Sequence, residues 1–435
     1  MPNLPETAPD EGANARREAG MRGAARPGFE RASDHMGDRL PPQRPELVRG
    51  VLRCGHKLML AAQSKAGKTW AMIALALAVA NGYERLEGDG WDAGGGATWL
   101  GRPCRRGEVC LFDGEMDVAS LWHRIDLVAR AMFPDDTMAE RRARGERLMV
   151  RSLRGDRDVD VGGVLSILDD AYGDGARPAL VIIDPIYKLM EGDENSNSET
   201  RPFLKGLDAI AAWGPSVATT HHHAKGRAGD RQVIDRAAGA GAFGRDPDAF
   251  IDLTALDIRE GTEAWGRLER ALPRLDHEEP REWQARLAQS RIYRANYVLR
   301  EFPDRWGHEL LFDFPLLVPI DGFADVPEEG SADAARNAGA QANADAAGER
   351  WDDLDLLIQE AVEACEARGA TPTRRAVHEE LRRVCAEDGE TECPTYSAFD
   401  KATKPGGRSA WGVSAQAPYG LVRKPQVDGG VHPAT

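Results

Sequence analysis

The feature that most constrains the fold is a short loop of small and basic residues between two apolar runs, Ala62-Gln63-Ser64-Lys65-Ala66-Gly67-Lys68-Thr69. It fits the phosphate-binding loop (P-loop) pattern, except that alanine occupies the position of the usual first glycine. Leu58 to Ala62 reads as a buried strand and Trp70 to Ala80 as a buried helix. Backbone N–H groups in such a loop, with the positive end of the helix dipole, form an anion site. The alternative is a chance Gly-Lys-Thr in an ordinary strand-to-helix turn.

This loop predicts that the chain binds ATP with Mg²⁺. Lys68 is placed to reach the terminal phosphates and to take part in catalysis, and the Thr69 hydroxyl to help hold the ion. Alanine is tolerated at position 62 if its φ is negative. The predicted nucleotide-binding residues are Ala62, Gln63, Ser64, Lys65, Ala66, Gly67, Lys68, Thr69 and Trp70.

Length and composition set further bounds. With 435 residues, 42% of them hydrophobic, the chain can bury an α/β core and carry a smaller second domain. No apolar run approaches the ~20 residues of a membrane span, and the N-terminus lacks a signal-peptide apolar region, so we expect a cytoplasmic protein without a membrane partner. The six cysteines include no C-x-x-C pair, which favours neither zinc nor a disulfide framework. A net charge of −15 argues against a uniformly basic nucleic-acid binder, although local basic loops can bind phosphate backbones.

Three segments and two tails follow from composition and periodicity. The segment 45–323 alternates strand-like and helical runs, which predicts an α/β core with a mostly parallel sheet. The other predicted parts are a disordered tail at 1–44, a flexible acidic linker at 324–350, a small mainly helical domain at 351–425 and a disordered tail at 426–435. The predicted core strands are Lys57 to Ala62, Glu108 to Asp113, Ala179 to Asp184, Ser216 to His221 and Ala249 to Leu256.

Polar residues end three of these strands. Ligands bind at the carboxyl ends of parallel strands, so these residues are candidates for catalysis. Glu115, in Asp113-Gly114-Glu115, is placed to orient or deprotonate an attacking water. Asp184 is the expected Walker B carboxylate, which binds Mg²⁺ or one of its waters. The alternative is that these carboxylates cap the following helices.

Three adjacent histidines, His221 to His223, follow the next strand. Along a strand His221 and His223 face one way and His222 the other, so the three cannot form a simple metal-binding face. A sensor of the terminal phosphate and ordinary packing are the other interpretations.

The ordered motifs resemble a known class. The segments "AAQSKAGKT", "FDGEMD", "LVIIDPIYKLMEGDENSN", "HHHAKG" and "DRAAGAGAFGRDPDAF" are similar to those of the RecA-type ATPases related to RepA, the hexameric replicative helicase of broad-host-range plasmids. The resemblance covers roughly Arg44 to Phe323. It implies a RecA-like P-loop core, Lys68 and Thr69 on nucleotide and Mg²⁺, Glu115 as the catalytic carboxylate, Asp184 as Walker B, and His221 or His222 as the γ-phosphate sensor.

The resemblance also implies a homo-hexameric ring, with ATP at each interface and an arginine supplied by the neighbouring subunit. This sequence departs from the pattern there, because Asp248 aligns with the arginine and Arg245 stands three residues earlier. Arg245 is our candidate, with Arg236 as the alternative, since a guanidinium suits the charge of a transferring phosphoryl group.

Two regions predict DNA as a partner. The loop after the histidines carries Lys225, Arg227 and Arg231 among glycines and alanines, which suits a single-stranded sugar-phosphate backbone, and in the resembling family this loop lines the central channel. The alternative is a solvated surface loop. The arginines and aromatics of Tyr293 to Trp306 favour either base stacking or a strand pair that packs on the core.

The C-terminal segment is the second region. Three predicted helices, Leu354 to Ala367, Thr373 to Cys385 and Tyr396 to Thr403, precede a Gly-rich hairpin, which favours a winged helix-turn-helix that binds double-stranded DNA. Its basic residues are Lys401, Lys404, Arg408, Arg423 and Lys424. A helical protein-docking domain has the same periodicity.

Two functions remain open from the sequence. One is an ATP-hydrolysing DNA motor, a hexameric replicative helicase of a plasmid, phage or integrated element. The other is a non-motor ATP-switched DNA-binding protein, such as a helicase loader, recombination mediator or regulator. Both need the same ATP site.

Overall fold

A computed structural model describes most of the chain. The described residues are 29–86, 96–156, 159–190, 197–223, 233, 236, 242–303, 305–389, 391–404, 409–415 and 420–424. They divide into two compact units, the first within 29–223, 233–253 and 295–320, and the second within 254–294 and 321–424. Residues 254–294 fall inside the segment 45–323 that the sequence assigns to the core, yet they cluster with the second unit. Most of both predicted tails lies outside the described residues.

The first unit is built on a nine-stranded sheet with the order β13-β12-β11-β10-β3-β9-β8-β6-β7. The strands from β10 to β7 pair in parallel, and β12 with β13 antiparallel. The strands of the described chain are β1 (Glu46–Val48), β2 (Leu52–Arg53), β3 (Lys57–Ala62), β4 (Thr98–Trp99), β5 (Arg102–Pro103), β6 (Val109–Asp113), β7 (Leu148–Ser152), β8 (Leu180–Asp184), β9 (Ser216–His222), β10 (Ala249–Ala255), β11 (Arg291–Leu299), β12 (Arg305–Asp313), β13 (Leu316–Ile320), β14 (Trp411–Val413) and β15 (Leu421–Arg423).

The α-helices alternate with the strands of the core and then dominate the C-terminal part. They are α1 (Lys68–Ala80), α2 (Val118–Met132), α3 (Met138–Arg144), α4 (Val161–Tyr172), α5 (Asn197–Trp213), α6 (Ala242–Arg245), α7 (Glu263–Ala271), α8 (Pro280–Gln289), α9 (Ala332–Ala367), α10 (Arg374–Asp388) and α11 (Tyr396–Ala402). Short 3₁₀ turns cover Ala32–Asp34, Gly37–Arg39 and Ile186–Leu189.

The hydrophobic pattern explains the central strands. Every residue of β3, β6, β8 and β10 is buried, as expected for strands covered on both faces. Helix α1, which is apolar almost all round, is buried from Ala71 to Ala80. The sequence therefore predicted these strands to within one residue at either end, and the α/β class with a mostly parallel sheet is confirmed.

The segment Tyr293 to Trp306 covers most of β11 and the start of β12. The rings of Tyr293 and Tyr297 are 6% and 2% exposed, so they pack in the interior and are not available to stack on bases. Arg300 is held by Asp248, with 2.7 Å between Nη1 and Oδ1. Of the two interpretations of this segment, the strand pair is the correct one.

The expectation of a flexible linker over 324–350 is corrected, because α9 begins at Ala332. The Ser331 hydroxyl caps it by accepting a hydrogen bond from the Ala334 N–H group. Alanine has the highest intrinsic helix propensity, and this segment is rich in alanine. The low complexity of this segment led to the prediction of a flexible linker, whereas its high alanine content favours a helix.

The C-terminal part of the second unit has the element order that the sequence predicted. Helices α9, α10 and α11 are followed by the antiparallel hairpin β14-β15. Its core includes Leu354, Leu381, Phe399 and Trp411, each buried. The winged helix-turn-helix stays a prediction, with which this order of three helices and a hairpin agrees.

Membrane insertion finds no support in the described helices, each of which is too short or too polar to cross a bilayer.

Asp355 on α9 fastens the hairpin, which generates a prediction about stability. Its Oδ1 accepts from the Ser409 hydroxyl at 2.5 Å and its Oδ2 from the Ala410 N–H group at 2.6 Å. Asp355→Ala leaves these donors without their partner, so we expect local stability of the hairpin to fall by about 1–3 kcal/mol. Faster hydrogen exchange of peptides spanning 409–424 in the full chain measures this. Asp353→Ala, at an exposed position of the same helix, is the control and should leave the exchange unchanged.

Candidate functional site

The P-loop lies at the carboxyl end of β3. Ala62 is the last residue of that strand, where the extended backbone accepts any side chain, which explains why glycine is not needed there. Lys65 and Gly67 have φ values of 64° and 86°. A Cβ atom added to Gly67 would lie 3.0 Å from Cε2 of Phe312, so this position requires glycine for both its backbone conformation and its close neighbour.

The Lys68 ammonium is buried within the site. It donates hydrogen bonds to the carbonyl oxygens of Ala62 at 3.1 Å and Gln63 at 2.8 Å, and its Nζ lies 3.2 Å from Nδ1 of His222. Burial lowers the pKa of Lys68 to about 8, against the opposing charges of Asp184 and Glu115. Burial and the Lys68 charge lower the pKa of His222, so its neutral ring can accept from the ammonium.

Asp184 ends β8 and is 3% exposed. Its Oδ1 accepts a hydrogen bond from the Thr220 hydroxyl. Burial raises the pKa of this carboxyl, and the hydroxyls of Thr220 and Thr69 and the Lys68 ammonium oppose the rise. Its Oδ2 is buried and accepts no hydrogen bond from the described residues, so this oxygen is left for a ligand.

Glu115 is held in position through its backbone by a second buried carboxylate. Oδ1 of Asp113 accepts from the N–H groups of Glu115 at 2.9 Å and Met116 at 2.6 Å, and burial raises the pKa of Asp113 to about 6. The Gly114 N–H group donates to the Asp184 carbonyl at 2.9 Å. The Glu115 side chain is exposed, and its Oε1 accepts from the Tyr187 hydroxyl.

These groups surround one cavity of about 440 Å³. Strand β9 runs between the P-loop strand β3 and the Asp184 strand β8, so His222 is brought between Lys68 and Asp184. The lining residues are Ser64, Lys65, Gly67, Lys68, Thr69, Trp70, Glu115, Arg124, Asp184, Pro185, Tyr187, Thr220, His222 and Phe312.

The site fits Mg²⁺. A threonine hydroxyl and a carboxylate are oxygen ligands of the kind that Mg²⁺ takes together with phosphate and water. Thr69 and Asp184 line the same cavity, and the unpartnered Oδ2 of Asp184 is a place for the ion or for one of its waters.

The three histidines have separate environments. His221 points away from the cavity: its ring lies 4.6 Å from that of Phe243, and its Nδ1 is 2.8 Å from the His222 carbonyl oxygen. Nε2 of His223 lies 2.8 Å from Oδ1 of the fully buried Asp252. Only His222 among the three lines the cavity, so the prediction of His221 as a site residue is corrected. Alternation along β9 decides this, since neighbouring residues face opposite sides of a sheet.

The two arginine candidates differ sharply. Arg245 is exposed and precedes β10, whose parallel pairing with β3 puts it at the amino-terminal edge of the sheet, opposite the P-loop. The length of β3 separates these edges by about 16 Å. Arg236 is 5% exposed, and its Nη1 lies 2.7 Å from Oδ2 of Asp252, so its guanidinium is already committed to a buried ion pair. Lys225, Arg227 and Arg231 lie outside the described residues.

Sequence reasoning missed five residues of the cavity: Arg124, Pro185, Tyr187, Thr220 and Phe312. The Arg124 guanidinium carbon lies 4.8 Å from the centre of the Trp70 ring. Phe312 comes from β12, far along the chain, and no local pattern marks it. Tyr187 and Thr220 lie within three residues of predicted site residues, and that proximity was the available signal.

Comparison with known proteins agrees with this geometry. Residues 25–228 match the family model of an AAA domain, and this range contains the P-loop, Glu115, Asp184 and the histidines. No curated protein matches the chain. The fold is that of an α/β P-loop NTPase core, and the AAA-domain match indicates a P-loop ATPase, a class that binds nucleotide, typically with Mg²⁺.

Two substitutions should separate nucleotide binding from hydrolysis. Lys68→Ala removes the buried cation from the phosphate site, so binding of labelled ATP should be lost. Glu115→Gln keeps the shape of the side chain but cannot accept a proton, so ATP binding should stay while hydrolysis falls by about a hundredfold or more. Lys205→Ala, at an exposed position of α5, is the control for a lost surface charge. Near-normal turnover by Glu115→Gln would contradict the role assigned to Glu115.

Proposed function

We propose that the protein is an ATP-driven DNA motor, a hexameric replicative helicase of a plasmid, phage or integrated element. The observation that carries the proposal is the single cavity bordered by Lys68, Glu115, Asp184 and His222. Each of these groups lies at or just beyond the carboxyl end of a different parallel strand. That arrangement suits a motor, because loss of the terminal phosphate on hydrolysis changes the contacts at the ends of several strands at once.

Each group has a chemical task in hydrolysis. Lys68 offsets charge on the terminal phosphates, and Glu115 orients or deprotonates the attacking water. Asp184 and Thr69 would hold Mg²⁺, which neutralises charge on the phosphates when bound. His222, beside Lys68, is placed to sense whether the terminal phosphate is present. In a catalytic subunit these residues act together, and the arginine is supplied from outside.

The position of Arg245 supports assembly into a ring. An exposed arginine at the edge opposite its own P-loop is poorly placed for its own site, which makes it a candidate for the site of a neighbour. Stabilising the charge of a transferring phosphoryl group is the task for which a guanidinium is suited. The resemblance over Arg44 to Phe323 points to the same arrangement of six subunits.

DNA as the partner rests on two regions. The loop with Lys225, Arg227 and Arg231 follows β9, so it begins where His222 borders the nucleotide cavity. A phosphate of the DNA backbone bound by this loop would contact residues that are close in sequence to His222, the proposed γ-phosphate sensor. This proximity is a short route for coupling DNA binding to ATP hydrolysis.

Two of the five basic residues predicted for the C-terminal domain have partners within it, and Arg408 lies outside the described residues. Lys424 donates to the Ser409 carbonyl at 2.7 Å, and Lys404 pairs with Asp400 at 2.8 Å. Lys401 and Arg423 are exposed and can contact phosphates. The order of three helices and a hairpin favours a second function, a non-motor ATP-switched DNA-binding protein that binds duplex DNA through this domain.

A forked-duplex assay distinguishes the two functions. A motor should separate the strands with ATP and Mg²⁺, whereas Glu115→Gln should bind the fork without separating it, because unwinding consumes hydrolysis. Strand separation is measured with labelled DNA. ATP-dependent binding without unwinding would favour the switch, and no binding to DNA in any nucleotide state would contradict both functions.

A mixing experiment tests Arg245. Arg245→Ala should spare nucleotide binding in its own subunit and suppress hydrolysis in the adjacent one by about a thousandfold, the scale of arginine fingers. Glu115→Gln subunits keep the arginine, and Arg245→Ala subunits keep the carboxylate. Mixing the two inactive proteins should therefore restore part of the ATPase activity. If they co-assemble without any recovery, Arg245 does not act across an interface.

A further inference from the structure

The Tyr187 hydroxyl is bonded to the candidate catalytic carboxylate. Its O–H group donates to Oε1 of Glu115, and among the described residues this is the hydrogen bond that holds the Glu115 side chain. Tyr187 lies three residues after Asp184, in the 3₁₀ turn Ile186–Leu189. The ends of β6 and β8 are thus linked by side chains as well as by backbone.

The 3₁₀ turn is a firm base for this hydroxyl. Ile186 is fully buried and Leu189 is 5% exposed, so apolar packing fixes both ends of the turn. The Gly114 backbone lies against it, since a Cβ atom added to Gly114 would be 2.8 Å from Cβ of Lys188. The Tyr187 ring also lies 5.7 Å from that of His222, centre to centre. One side chain therefore touches both the carboxylate and the candidate sensor.

Glu115 needs such a restraint because it borders two cavities. One is the nucleotide cavity of about 440 Å³, and the other, of about 570 Å³, is lined by Arg154 and Lys188 among others. Its long side chain has room on either side of the Gly114 backbone. Tyr187 lines the first cavity and not the second. Its hydroxyl therefore favours the conformers of Glu115 that face the nucleotide.

We propose that Tyr187 is a positioning residue for ATP hydrolysis, which holds Glu115 on the nucleotide side and leaves its second oxygen for the attacking water. This inference rests on the proposed ATPase function. A general base acts only within hydrogen-bond reach of the proton it accepts, and misplacement by about 1 Å can cost a hundredfold in rate. The hydroxyl acts through Glu115 and needs no contact with the nucleotide.

Tyr187→Phe tests the proposal, because it removes only the hydroxyl and keeps the ring beside His222. We expect kcat for ATP to fall by about ten- to a hundredfold, the effect of losing a hydrogen bond to a charged group, with KM and nucleotide affinity nearly unchanged. The matched control is Tyr172→Phe. The Tyr172 hydroxyl also donates to a glutamate, Oε1 of Glu108, but neither residue lines the nucleotide cavity. This variant should keep the wild-type kcat.

A double-mutant cycle separates positioning from a general structural effect. If Tyr187 acts through Glu115, Tyr187→Phe should change the single-turnover rate of the Glu115→Gln protein by less than about twofold. An equal loss in both backgrounds, or a kcat of Tyr187→Phe at or above wild type, would overturn the proposal while leaving the ATPase function intact. A wild-type protein that binds ATP without hydrolysing it would overturn both.

Discussion

The site depends on a buried positive charge that its neighbours compensate only in part. A comparison of the two buried lysines at opposite ends of β3 shows this constraint. Lys57, at the amino end, lies 2.5 Å from Asp208 and 2.6 Å from Asp246; burial alone would lower its pKa, but these carboxylates raise it. Lys68, beyond the carboxyl end, is held by carbonyl oxygens and a neutral histidine, and burial lowers its pKa to about 8. A buried cation with incomplete compensation is stabilised by an anion. The first lysine stabilises the fold, and the second prepares a phosphate site.

The parallel register brings the remaining groups to that cation. Because β3, β9, β8 and β6 run in one direction and are neighbours in the sheet, their carboxyl ends meet at one edge. Hydrogen bonds across that edge then fix the details. The Thr220 hydroxyl donates to Asp184, and the Gly114 N–H group donates to the Asp184 carbonyl. Asp184 thus organises the neighbouring connections while one of its own oxygens stays available.

A buried ion-pair cluster lies close to the same edge. Asp252 on β10 is fully buried and forms an ion pair with Arg236, and its Oδ1 lies 2.8 Å from Nε2 of His223. Breaking such a cluster by removing one partner is costly, because it leaves a buried charge uncompensated. His223 and Arg236 thus both contact the strand next to the P-loop strand.

The sequence by itself determined the central strands and the candidate residues of the nucleotide site. Apolar runs placed the central strands to within a residue, and the P-loop, Glu115 and Asp184 were identifiable because their residue types follow strands at a fixed spacing. Other features needed the tertiary structure. Phe312 contacts Gly67 although its strand lies almost 250 residues further along the chain. Tyr187 donates a hydrogen bond to Glu115, which follows a different strand. His222, and not His221, lies on the face of β9 that borders the cavity. Local periodicity in the sequence predicts which residues are buried. The contacts between distant segments, and the direction of each side chain, depend on the order in which the strands pair in the sheet and on how the elements pack.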